Sequence, residues 1–217
     1  MVARYAWHPA VQAAVAAVVL AVGVVRVATF DPAPPAPDPN RLYAALAGAR
    51  TVRTQVEVRA ADGSHREVAE GTLDLAAQRA RLTVEVDRFG GPYPEVWDRS
   101  FTYVRPAPGR WFRFTGGTGP ASRGFYLLAL LVDAPPLSYE GRTTVRDVRT
   151  VRWGTDLPNG RLKVYVGPEG LPRRVELHQG TVLRVDLYDF FLQGEIQVPA
   201  RFTSVPDRET AFARAAA

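Results

Sequence analysis

From Val52 to Ala60, apolar and polar positions alternate. Val52, Thr54, Val56, Val58 and Ala60 fall on one parity, and Arg53, Gln55, Glu57 and Arg59 on the other. A period of two sends successive side chains to opposite faces. The stretch therefore predicts a half-buried antiparallel strand with one wet face. Asp62-Gly63 follows and predicts a tight hairpin, because both residues tolerate positive φ. Glu67 to Leu75 returns with Leu73 and Leu75 on one face, and Ala80, Leu82, Val84 and Val86 alternate with polar residues as a third strand. Phe89-Gly90-Gly91-Pro92 breaks it. Glu95 to Arg105 reads as one further strand, with Trp97, Phe101 and Tyr103 in register, and Trp111 to Phe114 as another.

Two stretches repeat at helical spacing instead. Asn40 is placed to cap Arg41 to Ala47, with Leu42, Tyr43 and Leu46 on one side and Gly48 at the end. Ser122 to Val132 gathers Phe125, Leu128, Leu131 and Val132 and is apolar nearly all round. Such a helix is buried or covers something apolar. Beyond Asp133-Ala134-Pro135-Pro136, further strands are expected at Tyr139 to Trp153, Leu162 to Val166, Arg173 to His178, Val182 to Phe190 and Ile196 to Phe202. Each separator between them carries a turn signal such as Asn159-Gly160 or Gln179-Gly180.

The expected fold class is α+β, with about nine to eleven antiparallel strands and two short helices over residues 41–206. So many strands must curl, split or close. Two helices cannot cover a flat sheet of that width. A curved sheet, a half-barrel with short helices in its concave face, meets the burial demand. Residues 207–217 read as a frayed or weakly helical tail.

Residues 1–40 differ in kind. Ala10 to Val25 are apolar except for Gln12, and the run reaches spanning length of roughly 20 residues when carried to Phe30. A cleavage site after Ala28 would put Arg26 at the −3 position, a poor fit. Residues 1–30 are therefore expected to form an uncleaved signal anchor, with a cleaved signal peptide as the alternative. Arg4 and the amino terminus precede the span, which predicts the head inside and the rest outside. Asp31 to Asn40, DPAPPAPDPN, holds five prolines and predicts a semi-rigid polyproline linker.

Composition narrows the chemistry. The 217 residues contain no cysteine, which excludes a disulfide scaffold, a thiolate metal site and a lipidated N-terminal cysteine. Net charge is +5, with 27 Lys and Arg against 22 Asp and Glu, and Lys163 is the only lysine. Arg4 and Arg26 cancel Asp31 and Asp38, so the excess belongs to the domain. The three histidines, His8, His65 and His178, share no metal-ligand spacing. Asp62, Ser64 and His65 are too close in sequence to form a triad. Gly116-Gly117-Thr118-Gly119 lacks the lysine and the strand–loop–helix setting of a phosphate loop. Glu176 and Asp186 face each other across a predicted hairpin, but Arg173, Arg174 and Arg184 favour a solvated ion-pair ladder over acid–base catalysis. Arg142, Arg146, Arg149 and Arg152 favour a wet sheet face over a nucleic-acid or headgroup stripe. No catalytic residue, cofactor or metal is expected, nor a nucleic-acid partner.

Leu162-Lys163-Val164-Tyr165-Val166 leads through Gly170-Leu171-Pro172-Arg173-Arg174 into Val175-Glu176-Leu177. Leu187-Tyr188-Asp189-Phe190 then precedes Ile196-Gln197-Val198-Pro199-Ala200. These resemble the closing hairpins of the lipoprotein-carrier superfamily, the LolA/LolB-like, LppX/LprG-like and RseB-type proteins. Pro108-Gly109-Arg110-Trp111-Phe112 resembles that group's mid-sheet motif. The resemblance covers roughly residues 41–204 and implies a half-barrel with a hydrophobic cavity and no catalysis. The missing lipobox cysteine departs from the LppX pattern and leaves the N-terminal helix to anchor the chain.

The expected function is an extracytoplasmic, membrane-tethered protein that binds a lipid or other hydrophobic ligand. The alternative is an envelope sensor that docks a protein partner. Candidate lining residues are Val56, Val58, Leu73, Leu75, Leu82, Val84, Trp97, Phe101, Tyr103, Trp111, Phe125, Leu128 and Leu131. Simple core packing is the competing account of the same set.

Overall fold

A computed structural model describes residues 32–86, 89, 91–116 and 119–217. The signal-anchor segment 1–30 lies outside them. No helix among the described residues is long and apolar enough to cross a membrane.

The unit Ala36–Ala217 is one curved sheet of twelve strands with three short helices. Helix α1 is Pro39–Gly48. Strands β1 (Thr51–Ala60), β2 (Arg66–Asp74), β3 (Arg79–Val86), β4 (Tyr93–Asp98), β5 (Phe101–Val104) and β6 (Phe112–Thr115) follow as a meander. Helix α2 is Pro120–Ala129. A second meander contains β7 (Ser138–Val145), β8 (Val148–Leu157), β9 (Gly160–Val166), β10 (Pro172–His178) and β11 (Thr181–Phe190). Strand β11 pairs with β1 and joins the two halves, so with a last short strand β12 (Thr203–Ser204) the order runs β12-β6-β5-β4-β3-β2-β1-β11-β10-β9-β8-β7. Strand β12 lies parallel to β6, the one departure from an antiparallel sheet among these pairs. Helix α3 (Arg208–Ala216) closes the chain.

The alternation at 52–60 behaves as expected. Val52, Thr54, Val56 and Val58 are buried, and the intervening side chains are half-buried or exposed. Asp62 shapes the hairpin by accepting hydrogen bonds from the Ser64 backbone N–H (2.9 Å) and hydroxyl (2.6 Å). The cap of α1 is Asp38 rather than Asn40. Its carboxylate accepts from the Asn40 N–H at 2.9 Å, and Pro39 takes the first helical position, where no N–H is needed.

Several boundaries differ from the sequence reading. Glu95–Arg105 is two strands, because Arg99 turns the chain at φ 50°. Tyr139–Trp153 is likewise two, with Arg146 (φ 47°) and Asp147 (φ 64°) forming a two-residue hairpin between the paired Val145 and Val148. Ile196–Phe202 is not a strand. It crosses the convex face as an irregular strap, setting Ile196 and Val198 against Val96 and Tyr103. Its backbone joins the sheet only when Thr203 N–H and Val205 N–H donate to the carbonyls of Trp111 and Arg113, both at 2.9 Å. Residues 208–216 are helical, the second of the two expectations for the tail, and the helix is docked instead of frayed. Asp207 caps it through the Thr210 N–H at 2.7 Å, and Phe212 stacks on Phe89 with centroids 4.1 Å apart.

The main core lies between the concave face and the helices. Leu42 and Leu46 of α1, Leu127 and Leu128 of α2, and Ala211 of α3 all join it.

Candidate ligand-binding face

Ten of the thirteen candidate residues share the concave side. Val56, Val58, Leu73, Leu82, Val84, Trp97, Leu128 and Leu131 are buried in the main core, with Leu75 and Phe125 packed partly buried against it. Phe101, Tyr103 and Trp111 are on the convex side, packed with Val96 and Ile196. The register gives the reason. Trp97 stands opposite Thr102, so those two share a face, and Phe101 and Tyr103, one residue either side of Thr102, point the other way.

Helix α2 is the cover of this face. It touches strands of both meanders, from β4 through β1 to β10. It approaches closely because Gly124 has no side chain: a Cβ there would sit 3.2 Å from Val56 Cγ2. Phe125 meets Trp97 with ring centroids 4.7 Å apart. The helix ends contribute little to holding it. Helices α1 and α3 are capped by aspartates, whereas Gly119 at the start of α2 supplies no side-chain cap. Nor does α2 carry an acidic first turn or a basic last turn. Packing, with one ion pair, keeps it in place. Tyr126 (55% exposed) is on its outer, solvent-facing side, and Val132 in the turn just after it is exposed too.

That ion pair belongs to a buried cluster. Arg208 of α3 is 5% exposed and donates to Glu67 Oε1 and to Glu95 Oε2, both at 2.9 Å. Arg123 of α2 donates to the other oxygen of Glu67 at 3.3 Å. Glu67 therefore ties the cover helix and the C-terminal helix to one strand. A Cβ on Gly119 would lie 2.3 Å from Arg208 Nη2, so the guanidinium needs glycine there to reach Glu95. Burial pushes the Glu95 carboxyl up to about 7, with Arg208 opposing. Between about 4.5 and about 7 the folded chain keeps a proton that the unfolded chain has released. The contribution of Glu95 to stability thus falls as pH rises through that window.

On the convex face the charged residues form the expected ladder, with the carboxylates Glu176 and Asp186 buried and their arginines Arg174 and Arg184 half-buried. Arg174 grips Asp186 with two hydrogen bonds of 2.6 and 2.8 Å. Arg184 bridges Glu176 (2.8 Å) and Glu57 (3.2 Å), and Tyr165 donates to Glu176 at 3.0 Å. Burial opposes the charge on Glu176, yet His178, Arg184 and Tyr165 together hold its carboxyl below the ordinary range. Arg146 stacks on Tyr188 at 4.0 Å and pairs with Asp186 at 3.6 Å, while Arg152 pairs with Glu140 at 3.3 Å. These two are structural ion pairs, not members of a free basic stripe.

The open clefts among the described residues include three of moderate volume. The two near exposed Phe191 measure about 620 and 590 Å³, and one beside Arg214 about 390 Å³. None is lined by any of the thirteen candidates. No group of three or more His, Cys, Asp or Glu among the described residues is arranged to hold a metal ion.

The chain has the fold of the LppX/LprG-like protein LprF. LprF from Mycobacterium bovis superposes with a TM-score of 0.53 at 13% identity, over 75% of this chain and 95% of that one. An uncharacterized conserved protein from Thermus thermophilus aligns at 0.46 and 9% identity, over 77% and 98%. MucB aligns at 0.43 and 13%, over 70% of this chain and 57% of its own. No family pattern matches the sequence, and no curated protein matches it.

Proposed function

We propose that the protein binds the acyl chain of a lipid on its concave face, with α2 as a displaceable cover, and performs no catalysis. The observation that carries this reading is the cover itself. One ten-residue helix without a side-chain cap shields a wide apolar surface. Magnitudes favour a long chain as the occupant. Exposing Leu127, Leu128 and Leu131 costs roughly 5–9 kcal/mol at 1.5–3 kcal/mol each. A sixteen-carbon chain taken from water offsets about 12 kcal/mol at 0.8 kcal/mol per CH₂, whereas an eight-carbon chain offsets only about half of that. The apolar N-terminal run and the proline linker support a tethered, extracytoplasmic location.

Protein docking is the competing reading, favoured by exposed Tyr126 on the outer side of α2 and exposed Val132 just beyond its end. One experiment separates the two. The full chain in membranes is photolabelled with diazirine derivatives of palmitate and octanoate, and the adducts are mapped by peptide mass spectrometry. Palmitate adducts should fall on β1–β4 and on the inner side of α2, with octanoate giving few. Adducts confined to exposed residues would sink the acyl-binding reading.

A further inference from the structure

The concave face is apolar apart from a few polar groups, and several of these have hydrogen-bond partners. Thr54 donates its hydroxyl to the carbonyl of Asp186 at 2.9 Å, and Thr102 to that of Gly116 at 3.0 Å. Glu67 and Glu95 meet Arg208. Trp97 is the contrast. It is 9% exposed, and its indole Nε1–H is buried with no hydrogen-bond partner among the described residues. Its ring lies against Phe125, on the cover helix.

An indole N–H only donates, so whatever completes it must bring an acceptor. A buried donor left without one destabilises the closed state, and an occupant that supplies an acceptor removes that penalty. Pure hydrocarbon cannot do so. We infer that Trp97 is a specificity-determining residue, whose N–H receives an acyl carbonyl oxygen when α2 is displaced. The inference rests on the acyl-binding reading above and narrows it to ligands carrying that oxygen. A fatty-acid carboxyl and a glyceride ester both carry it.

The test uses the full chain, wild type and Trp97→Phe, with three photoactivatable probes: palmitate, dipalmitoylglycerol and hexadecane. Phe keeps an aromatic ring beside Phe125 and removes only the donor. Half-saturation of concave-face labelling should shift roughly tenfold to higher concentration for a probe whose carbonyl meets Trp97, as expected for one lost buried hydrogen bond. Hexadecane labelling should be unchanged. A shift with palmitate alone or with the glyceride alone identifies which source of the carbonyl is used. Equal loss with all three probes would assign Trp97 to packing and overturn the inference, and no loss with any would do the same. Absence of concave-face labelling in the wild type would instead end the acyl-binding reading itself.

A second measurement does not depend on the variant folding. The wild-type Trp97 indole ¹⁵N–H resonance should move downfield with an oxygen-bearing probe and stay in place with hexadecane. Equal responses to both would overturn the inference.

Discussion

Arg208→Ala will lower folding stability by about 3–5 kcal/mol at pH 8, and by clearly less at pH 5. Removing one partner of a buried ion pair leaves an uncompensated charge, and that is the costly case. Arg208 is the cation shared by Glu67 and Glu95, which are 3% and 1% exposed. At pH 5 the Glu95 carboxyl, pushed up to about 7, already carries its proton, so less negative charge is stranded. Denaturant titration of both proteins at the two pH values reads this directly. Glu95→Gln should remove most of the pH dependence from each. A deficit that is equal at pH 5 and pH 8 would mean that Arg208 acts through helix packing alone.

The second large effect is expected at Leu128. Read from sequence as part of a lining, Leu128→Asp would spare the fold and stop ligand uptake. In the structure Leu128 is fully buried between α2 and the sheet. The substitution removes a core leucine, itself worth about 2–5 kcal/mol, and inserts a carboxylate with no partner. A loss above about 4 kcal/mol is therefore expected in denaturant titration. Tyr126→Ser, two residues earlier and exposed, should stay within about 0.5 kcal/mol of wild type. Similar small effects at both positions would place Leu128 on an open wall rather than in a packed core.

Much of this architecture was legible because the strands obey period two. The alternation from Val52 to Ala60 identified β1 and its buried face, and the turn residues marked most hairpins. The hairpins at Arg99 and at Arg146-Asp147 were invisible, because arginine and aspartate adopt positive φ there under tertiary constraint instead of glycine. Ile196 to Phe202 misled for a different reason. Ile196 and Val198 alternate as in a strand, but they cover a satellite cluster on the convex face. The same face holds three candidate residues, Phe101, Tyr103 and Trp111. Trp97, Phe101 and Tyr103 share a parity in sequence, and the turn at Arg99 reverses what that parity means. The charge cluster escaped notice because its members lie far apart, at 67, 95, 123 and 208. Glu67 and Glu95 also occupy inward positions that an apolar residue would ordinarily fill. The inward charges at those two positions were the one available signal.

For the concave face to take a ligand, α2 must move. The chain has no cysteine, so a staple can be introduced cleanly. The Gly124 Cβ position lies 3.2 Å from Val56 Cγ2, so a sulfur in the place of that methyl sits beside it, and Val56→Cys frees the room that Gly124→Cys needs. The double variant, photolabelled with diazirine palmitate in membranes, gives the most direct measurement. Background labelling of the concave face is expected when the disulfide is formed, and wild-type labelling after reduction. Wild-type labelling of that face with the disulfide intact would contradict the need for α2 to move.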